Sequence, residues 1–190
     1  MKKHIISIAG RPGSGKTSTG KLIAKKLDLK HFSTGDMMRE LGRQRGHDIT
    51  TTNAINEDDR TFDDLVDGEL RRINLEEDGM VIDSRMAWHF VPASFKVYLM
   101  LDFETAANRI LADKDNIVRA ESENIHLDRD EFIEDIKKRL EIEERRYMNL
   151  YGVNPFDTSN YDLVIDTGEN DLESVATQIA AAYRQWVKDN

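Results

Sequence analysis

The segment Gly10-Arg11-Pro12-Gly13-Ser14-Gly15-Lys16-Thr17 decides the fold of this chain. It fits the pattern G-x-x-x-x-G-K-[ST] with every fixed position filled. Residues 4–9 (HIISIA) form a predicted buried strand before it, and residues 17–27 form a predicted helix after it. A chance match of the pattern in such a chain is on the order of 1%, given glycine near ~7% of residues. An ordinary glycine-rich turn is the alternative, and the flanking strand and helix disfavour it.

The residue types of this segment suit phosphate binding. Glycines let the backbone curl so that successive N–H groups point inward at phosphate oxygens. The helix that follows adds its positive N-terminal end. Lys16 can reach the β- and γ-phosphates of ATP, and the Thr17 hydroxyl can ligate Mg²⁺. The predicted ATP-binding residues here are Gly10, Pro12, Gly13, Ser14, Gly15, Lys16, Thr17 and Ser18.

Bulk composition restricts the class of protein. The chain has 190 residues, of which 39% are hydrophobic and 33% charged. This length and composition predict one globular domain over residues 1–190. Cysteine is absent, which excludes disulfides and thiolate metal sites and fits a cytoplasmic protein. The net charge of −9 argues against a nucleic-acid partner, and no apolar stretch approaches a membrane span. We expect a cytoplasmic monomer.

Predicted strands and helices alternate along the whole chain. Besides the first strand and helix, the pattern predicts strands over 29–32, 80–83, 95–101 and 162–166, and helices over about 36–45, 62–75, 103–111, 131–150 and 172–187. Five strands alternating with helices predict an open parallel α/β sheet. Ligands of such a sheet lie at the carboxyl ends of its strands.

Two further motifs follow strands of this sheet. The run Ser33-Thr34-Gly35-Asp36-Met37-Met38-Arg39 follows the second strand, and Asp83-Ser84-Arg85 ends the third. Arg39 and Arg85 could therefore clamp a second phosphate opposite the loop, because the guanidinium fork binds phosphate oxygens bidentately. Asp83 could anchor an Mg²⁺-bound water. The alternatives are a solvated Arg39 and a local ion pair within 83–85.

Together these motifs resemble the nucleoside monophosphate kinases. The pattern GxPGSGKT, then STGDMMR, then a strand ending in IDSR is similar to adenylate and cytidylate kinases. The C-terminal runs KRL at 138–140, RRY at 145–147, YG at 151–152 and YDLVIDT at 161–167 look most like the archaeal-type cytidylate kinases. The resemblance covers almost the whole chain.

The resemblance implies a P-loop NTPase fold: a five-stranded parallel sheet flanked by helices, with an acceptor-nucleotide arm over about 33–78 and a lid over about 113–130. It implies that Lys16, Thr17 and Mg²⁺ handle the phosphoryl donor ATP, and that Arg109 lies beside the donor nucleotide. It assigns the nucleoside monophosphate substrate to Ser33, Gly35, Asp36, Arg39, Asp83 and Arg85, and catalytic roles to Lys16, Asp83, Arg139 and Arg146.

The predicted helix over 131–150 supports part of this assignment from its own spacing. Arg139, Glu143 and Arg146 stand at i, i+4 and i+7, so they share one face. Glu143 could orient both arginines toward a transferring phosphoryl group. A solvated face of ion pairs is the alternative.

The sequence leaves open both the donor contacts of the lid and the choice of acceptor. Asp113 stands where many family members carry a basic residue, and the acid-rich segment 113–130 offers few cations for donor contacts. Candidates for reading the acceptor base are Asp58, Arg60 and Asp63. We expect ATP-dependent phosphorylation of CMP or dCMP. The alternatives are AMP, UMP or a metabolite such as shikimate as acceptor, or a nucleotide-dependent switch, although the chain lacks the N-K-x-D motif of a GTPase.

Overall fold

A parallel β-sheet organises the chain, which the computed structural model describes over residues 3–45, 60–112 and 128–189. Within these residues the sheet has five strands in the order β2-β3-β1-β4-β5, and every neighbouring pair is parallel. The strands are β1 (Ile5–Gly10), β2 (Lys30–Ser33), β3 (Met80–Asp83), β4 (Phe95–Met100) and β5 (Leu163–Asp166). The predicted five-stranded parallel sheet is confirmed.

Helices connect the strands and cover the sheet. They are α1 (Lys16–Leu27), α2 (Thr34–Gln44), α3 (Thr61–Glu76), α4 (Ala87–Phe90), α5 (Phe103–Ala112), α6 (Arg129–Tyr151) and α7 (Leu172–Lys188), with a 3₁₀ turn at Thr158–Asn160. The bounds of the longer helices agree with the sequence-based expectation within about two residues. The single-turn helix α4 was not predicted, since four residues show too little periodicity.

Both faces of the sheet are buried. Ile6 and Ile8 of β1 point to one face and pack with residues of α1 and α7, while Ile5 points to the other face and packs with Leu70 and Ile73 of α3. These β1 side chains are fully buried. A strand that is covered on both faces needs apolar residues at neighbouring positions, which explains why all of 5–9 except Ser7 is apolar. The buried Ser7 hydroxyl shares a hydrogen bond with the Ser94 hydroxyl at 2.9 Å.

A separate apolar cluster fixes α6 against α5. Ala107 and Ile110 of α5 pack against Phe132, Ile136 and Leu140 of α6, and all five are buried. At its N-terminus α6 has a capping box. The Asp128 side chain accepts hydrogen bonds from the backbone amides of Asp130 and Glu131, and the Glu131 side chain accepts one from the backbone amide of Asp128. The packed face of α6 leaves another face of the helix for polar side chains.

The strand register brings the predicted motifs to one edge of the sheet. Ser33 at the end of β2 is in register with Asp83 at the end of β3, and Asp83 is in register with Ile8 of β1. The segment that follows each strand therefore begins at the same carboxyl edge. Ser33 also caps α2 by accepting from the Asp36 amide at 3.2 Å, so the second strand runs directly into its helix.

The predicted arm and lid fall partly outside the described residues. The arm over 33–78 contains α2 and α3, while residues 46–59 between them lie outside. Of the predicted lid over 113–130, residues 113–127 lie outside and the remainder forms the start of α6. In the described part of the chain, no helix combines the length and apolarity that a bilayer span requires.

Candidate active site

The phosphate loop lies between β1 and α1, as its sequence predicts. Gly13 has a φ of 77°, and a Cβ there would lie 3.0 Å from the carbonyl oxygen of Ala106 in α5. Only glycine satisfies both the left-handed backbone and this close approach. At Gly10 a Cβ would overlap the carbonyl oxygen of Leu99 on the neighbouring strand. The two glycines thus let the loop fold tightly against the sheet and α5.

Lys16, the first residue of α1, folds over this loop. Its Nζ donates to the carbonyl oxygens of Gly10 at 3.0 Å and Arg11 at 3.1 Å. These contacts hold the ammonium group at the mouth of the loop, beside the helix N-terminus. An anion in the loop would meet the lysine charge and the helix dipole together.

One cavity of about 800 Å³ opens at the carboxyl edge of the sheet. This position agrees with the rule for ligand sites in open α/β sheets, and the volume falls within the range of ligand pockets. Of the residues predicted to bind ATP, Mg²⁺ or the acceptor phosphate or to take part in catalysis, all except Gly10 line it: Pro12, Gly13, Ser14, Gly15, Lys16, Thr17, Ser18, Ser33, Gly35, Asp36, Arg39, Asp83, Arg85, Arg109, Arg139 and Arg146. Gly10 is the last residue of β1, directly behind the loop.

The oxygen atoms predicted to serve Mg²⁺ lie together. The Thr17 hydroxyl donates to Oδ2 of Asp83 at 2.5 Å, and the Ser33 hydroxyl donates to the same oxygen at 3.3 Å. Asp83 is buried. No group of three or more His, Cys, Asp or Glu side chains suited to a metal occurs among the described residues. A hydroxyl and one carboxylate fit Mg²⁺, which takes few protein ligands and completes its shell with water and substrate phosphates.

The two arginines predicted to clamp a second phosphate both line the cavity, and each is paired with a carboxylate. Arg39 pairs with Asp36 one helical turn earlier on α2. Arg85, just after β3, donates through Nη1 to Oε1 of Glu143 on α6 at 2.8 Å. Arg85 and Glu143 are largely buried, so this ion pair is weakly screened.

The hydrogen bond of Glu143 adds a partner that helical spacing did not indicate, while the Glu143 charge also acts on Arg146. Helical spacing indicated that Glu143 orients Arg139 and Arg146, which share its face of α6. The bond goes to Arg85, which is 58 residues away in sequence. Spacing within a helix cannot reveal such a partner, because it comes from another element. The result is a direct link between the end of β3 and α6.

Arg146 faces α3 across the cavity. Its Nε lies 3.7 Å from Oδ2 of Asp63, and both side chains are mostly buried. Neither atom has a hydrogen-bond partner among the described residues. Burial raises the pKa of Asp63, and the Arg146 charge opposes that rise. Asp63 was a predicted base reader, and the structure places it in this ion pair.

Of the other two predicted base readers, only Arg60 belongs to the described residues, and it is not among those that line the cavity. Arg60, just before α3, is exposed and pairs with Asp64 at 3.4 Å. Asp58 lies outside the described residues. Sequence reasoning instead missed Asp67, which follows Asp63 by one helical turn and lines the same cavity. The i, i+4 spacing of the two acids on α3 was the available signal.

A second region missed from sequence lies beside the phosphate loop. Arg109 of α5 donates through Nη2 to the carbonyl oxygen of Thr167 at 2.6 Å. Thr167, Asn170, Leu172 and Val175 line the cavity there, between the end of β5 and the start of α7. The rule that ligands lie at strand ends could have found them, since they directly follow the last strand.

Comparison with known proteins agrees with this geometry. A family model described as "AAA domain" matches residues 6–137. The cytidylate kinase of Sulfolobus acidocaldarius is 34% identical over 173 residues, which cover 90% of this chain and 89% of that protein. The cytidylate kinase of Archaeoglobus fulgidus is 32% identical over 178 residues, which cover 93% of each chain.

A solved structure supports the fold independently. Shikimate kinase from Bacteroides thetaiotaomicron matches with a TM-score of 0.65, covering 93% of this chain and 96% of that one at 16% identity. At that identity the likeness concerns the fold alone, and it confirms the predicted kinase-type P-loop architecture. On the sequence matches, which span nearly the full length of both partners, the chain belongs to the cytidylate kinase family.

Proposed function

We propose that this protein transfers the γ-phosphoryl group of ATP to a nucleoside monophosphate, with CMP or dCMP as the preferred acceptor. The observation that carries the proposal is the shared cavity that joins a phosphate loop to two arginines, Arg39 and Arg85, on neighbouring elements. A phosphoryl-transfer enzyme with two nucleotide substrates needs two phosphate sites in one enclosed space. The relatives named cytidylate kinase support the choice of acceptor.

The phosphate loop and the region near Arg109 form the donor end in this proposal. Loop amides and Lys16 hold the β- and γ-phosphates of ATP. The recess between Arg109, Thr167 and Leu172 holds the nucleoside of the donor. Thr17 and Asp83 would hold Mg²⁺, which supplies charge neutralisation on the donor phosphates when bound.

The other end of the cavity holds the acceptor. Arg39 and Arg85 grip the phosphate of the nucleoside monophosphate through bidentate, charge-assisted hydrogen bonds. The proposed arm, α2 and α3 with the segment between them, covers the acceptor nucleoside. The segment over 113–130 is the proposed lid over the donor.

The reaction requires no protein nucleophile. An oxygen of the acceptor phosphate attacks the γ-phosphorus, the bond to the β–γ bridging oxygen breaks, and ADP leaves with the electron pair. Lys16, Arg139 and Arg146 line the space between the two ends. Their positive charges would stabilise the transferring group, so that catalysis consists of alignment and charge neutralisation.

A coupled ADP-release assay with a panel of acceptors tests this proposal. The panel contains AMP, CMP, dCMP, UMP, GMP, dTMP and shikimate, each at matched concentration with ATP and Mg²⁺. We expect CMP or dCMP to give the highest kcat/KM. Tenfold better use of AMP or UMP would overturn the acceptor assignment, and phosphorylation of shikimate alone would overturn the nucleoside monophosphate reading as well.

A further inference from the structure

The segment Arg146–Gly152 (RYMNLYG) carries two tyrosines that the roles above do not use. Tyr147 and Tyr151 stand one turn apart on α6, with stacked rings whose centroids are 6.0 Å apart. Tyr147 lines the cavity. The ring of Tyr151 also packs against Phe90, with centroids 5.5 Å apart. This packing fixes the Tyr151 side chain and so fixes the direction of its hydroxyl.

The Tyr151 hydroxyl donates to Oδ2 of Asp67 at 2.7 Å. Asp67 is only 4% exposed, and it lines the cavity beside Val66 and Tyr147. Its nearest cation is Arg71, at 3.8 Å on the outer side of α3. Burial raises the pKa of Asp67, and the hydrogen bond from Tyr151 opposes that rise. A buried carboxyl group therefore belongs to the lining of the cavity and accepts a hydrogen bond from one tyrosine.

Helix α6 contacts both this carboxyl group and one arginine of the proposed phosphate clamp. Glu143 holds Arg85 and Tyr151 holds Asp67, and these two α6 residues are eight positions apart. Eight residues correspond to about 12 Å along an α-helix. Arg85 and Asp67 thus line one cavity while contacting α6 at two separated points, as the phosphate and the base of one nucleotide are separated.

We propose that Asp67 reads the acceptor base by accepting a hydrogen bond from an exocyclic amine, and that Tyr151 holds the carboxylate in place for this contact. The inference rests on the proposed function and names the property of the base that the site selects. Cytosine presents its N4 amine as a donor, for which aspartate is a suitable acceptor. Uracil presents a carbonyl oxygen at the same position, which would leave the buried carboxylate facing another acceptor.

The other acid of α3 has a different role. Asp63 faces Arg146 at 3.7 Å, so its charge serves to position that arginine. Asp67 has no such partner from α6 other than the Tyr151 hydroxyl, among the described residues. Adenine also carries an exocyclic amine. Asp67 therefore separates amine-bearing bases from oxo bases.

The variant Asp67→Asn tests the proposal, with Asp64→Asn as the matched control. Asparagine keeps the size of the side chain and the bond from Tyr151, and its amide can also donate to a carbonyl. Asp64 lies on the exposed face of the same helix, with its side chain 65% exposed. The kcat/KM values for CMP, AMP and UMP are measured for each variant, together with thermal unfolding.

We expect Asp67→Asn to lower kcat/KM for CMP at least tenfold without lowering it for UMP, so that the CMP-to-UMP ratio falls by that factor. The CMP-to-AMP ratio should change little, and Asp64→Asn should match the parent protein. Tyr151→Phe should lower the CMP-to-UMP ratio less, about threefold. Equal losses for CMP and UMP, or no loss, would overturn the inference. A parent protein that phosphorylates no nucleoside monophosphate would instead overturn the proposed function.

Discussion

The proposed donor end and the proposed acceptor end of the cavity differ in how their residues are brought together. At the donor end, consecutive residues 10–18 form a loop whose shape depends on glycine backbone and on the start of α1. At the acceptor end, side chains from α2, the end of β3, α3 and α6 converge on one space. The residues of the donor end are therefore neighbours in sequence, whereas those of the acceptor end come from distant parts of the sequence and meet through tertiary folding.

The cationic side chains of both ends already have partners inside the protein. At the proposed donor end, the Lys16 ammonium donates to the carbonyl oxygens of Gly10 and Arg11. At the acceptor end, Arg39 pairs with Asp36 and Arg85 pairs with Glu143. Carboxylate partners stabilise buried arginines when no phosphate is bound, because an unpaired buried charge is costly. Both arginines of the proposed acceptor end are thus paired with carboxylates before any phosphate binds.

The largest effect is expected from removing the charge of Lys16 at the proposed donor end. Lys16→Ala should lower turnover about a thousandfold, the scale of losing one strong electrostatic contact to a transition state. The fold should persist, because the Lys16 ammonium contacts the loop mouth and not the apolar core. The measurement is kcat with CMP and ATP, alongside circular dichroism of the purified variant. Near-normal turnover in a folded variant would contradict the assignment of Lys16 to the phosphoryl donor.

Removing the acceptor clamp should have the next largest effect. Arg85→Ala and Arg39→Ala should each weaken CMP binding by about 1.5–3 kcal/mol, the contribution of a hydrogen bond to a charged group. That loss corresponds to roughly ten- to a hundredfold in Kd. ATP affinity should change much less, because neither arginine belongs to the phosphate loop. Titration of each variant with both nucleotides tests this, and a larger loss for ATP would place the arginines at the wrong end.

A smaller effect is expected from the far end of α6. Asp128→Ala removes the cap that holds the first amides of the helix, which should lower the free energy of unfolding by about 1 kcal/mol. The CMP-to-UMP ratio should stay unchanged, since the clamp and Asp67 contact the other half of α6. Urea unfolding and kcat/KM ratios measure the two effects. A changed ratio would show that the helix transmits strain from cap to site.

The smallest expected effect is a change of stability with pH. The folded-state pKa of Asp67 is raised, so the folded protein binds this proton more tightly than the unfolded chain. Stability is then lost as pH rises from the ordinary value of 3.8 through the folded-state pKa. Asn does not titrate and escapes this loss.

Asp67→Asn should therefore gain stability relative to the parent protein across that pH window and level off above it. Urea unfolding at about pH 4 and about pH 7 measures the gain. A variant whose relative stability falls as pH rises would contradict the raised pKa. A stabilised variant with poor selectivity for CMP would show that Asp67 lowers the stability of the protein and is retained for recognition of CMP.

The same difference between the two ends explains what the sequence could predict. The phosphate loop and the strand ends that carry Ser33 and Asp83 depend on local patterns, so they could be predicted with correct residues. The partner of Glu143 and the bond between Asp67 and Tyr151 join residues 58 and 84 positions apart. Contacts of this kind depend on how helices pack, which periodicity along one helix does not specify.

The most direct test of the account is the stoichiometry of the products formed from ATP and CMP. Chromatography of the reaction mixture quantifies ATP, ADP, CMP and CDP over time, with and without CMP. The account predicts that one CDP appears for each ADP and that ADP formation is negligible without CMP, because transfer requires both ends of the cavity to be filled. ADP that accumulates at the same rate without CMP, or without matching CDP, would contradict it.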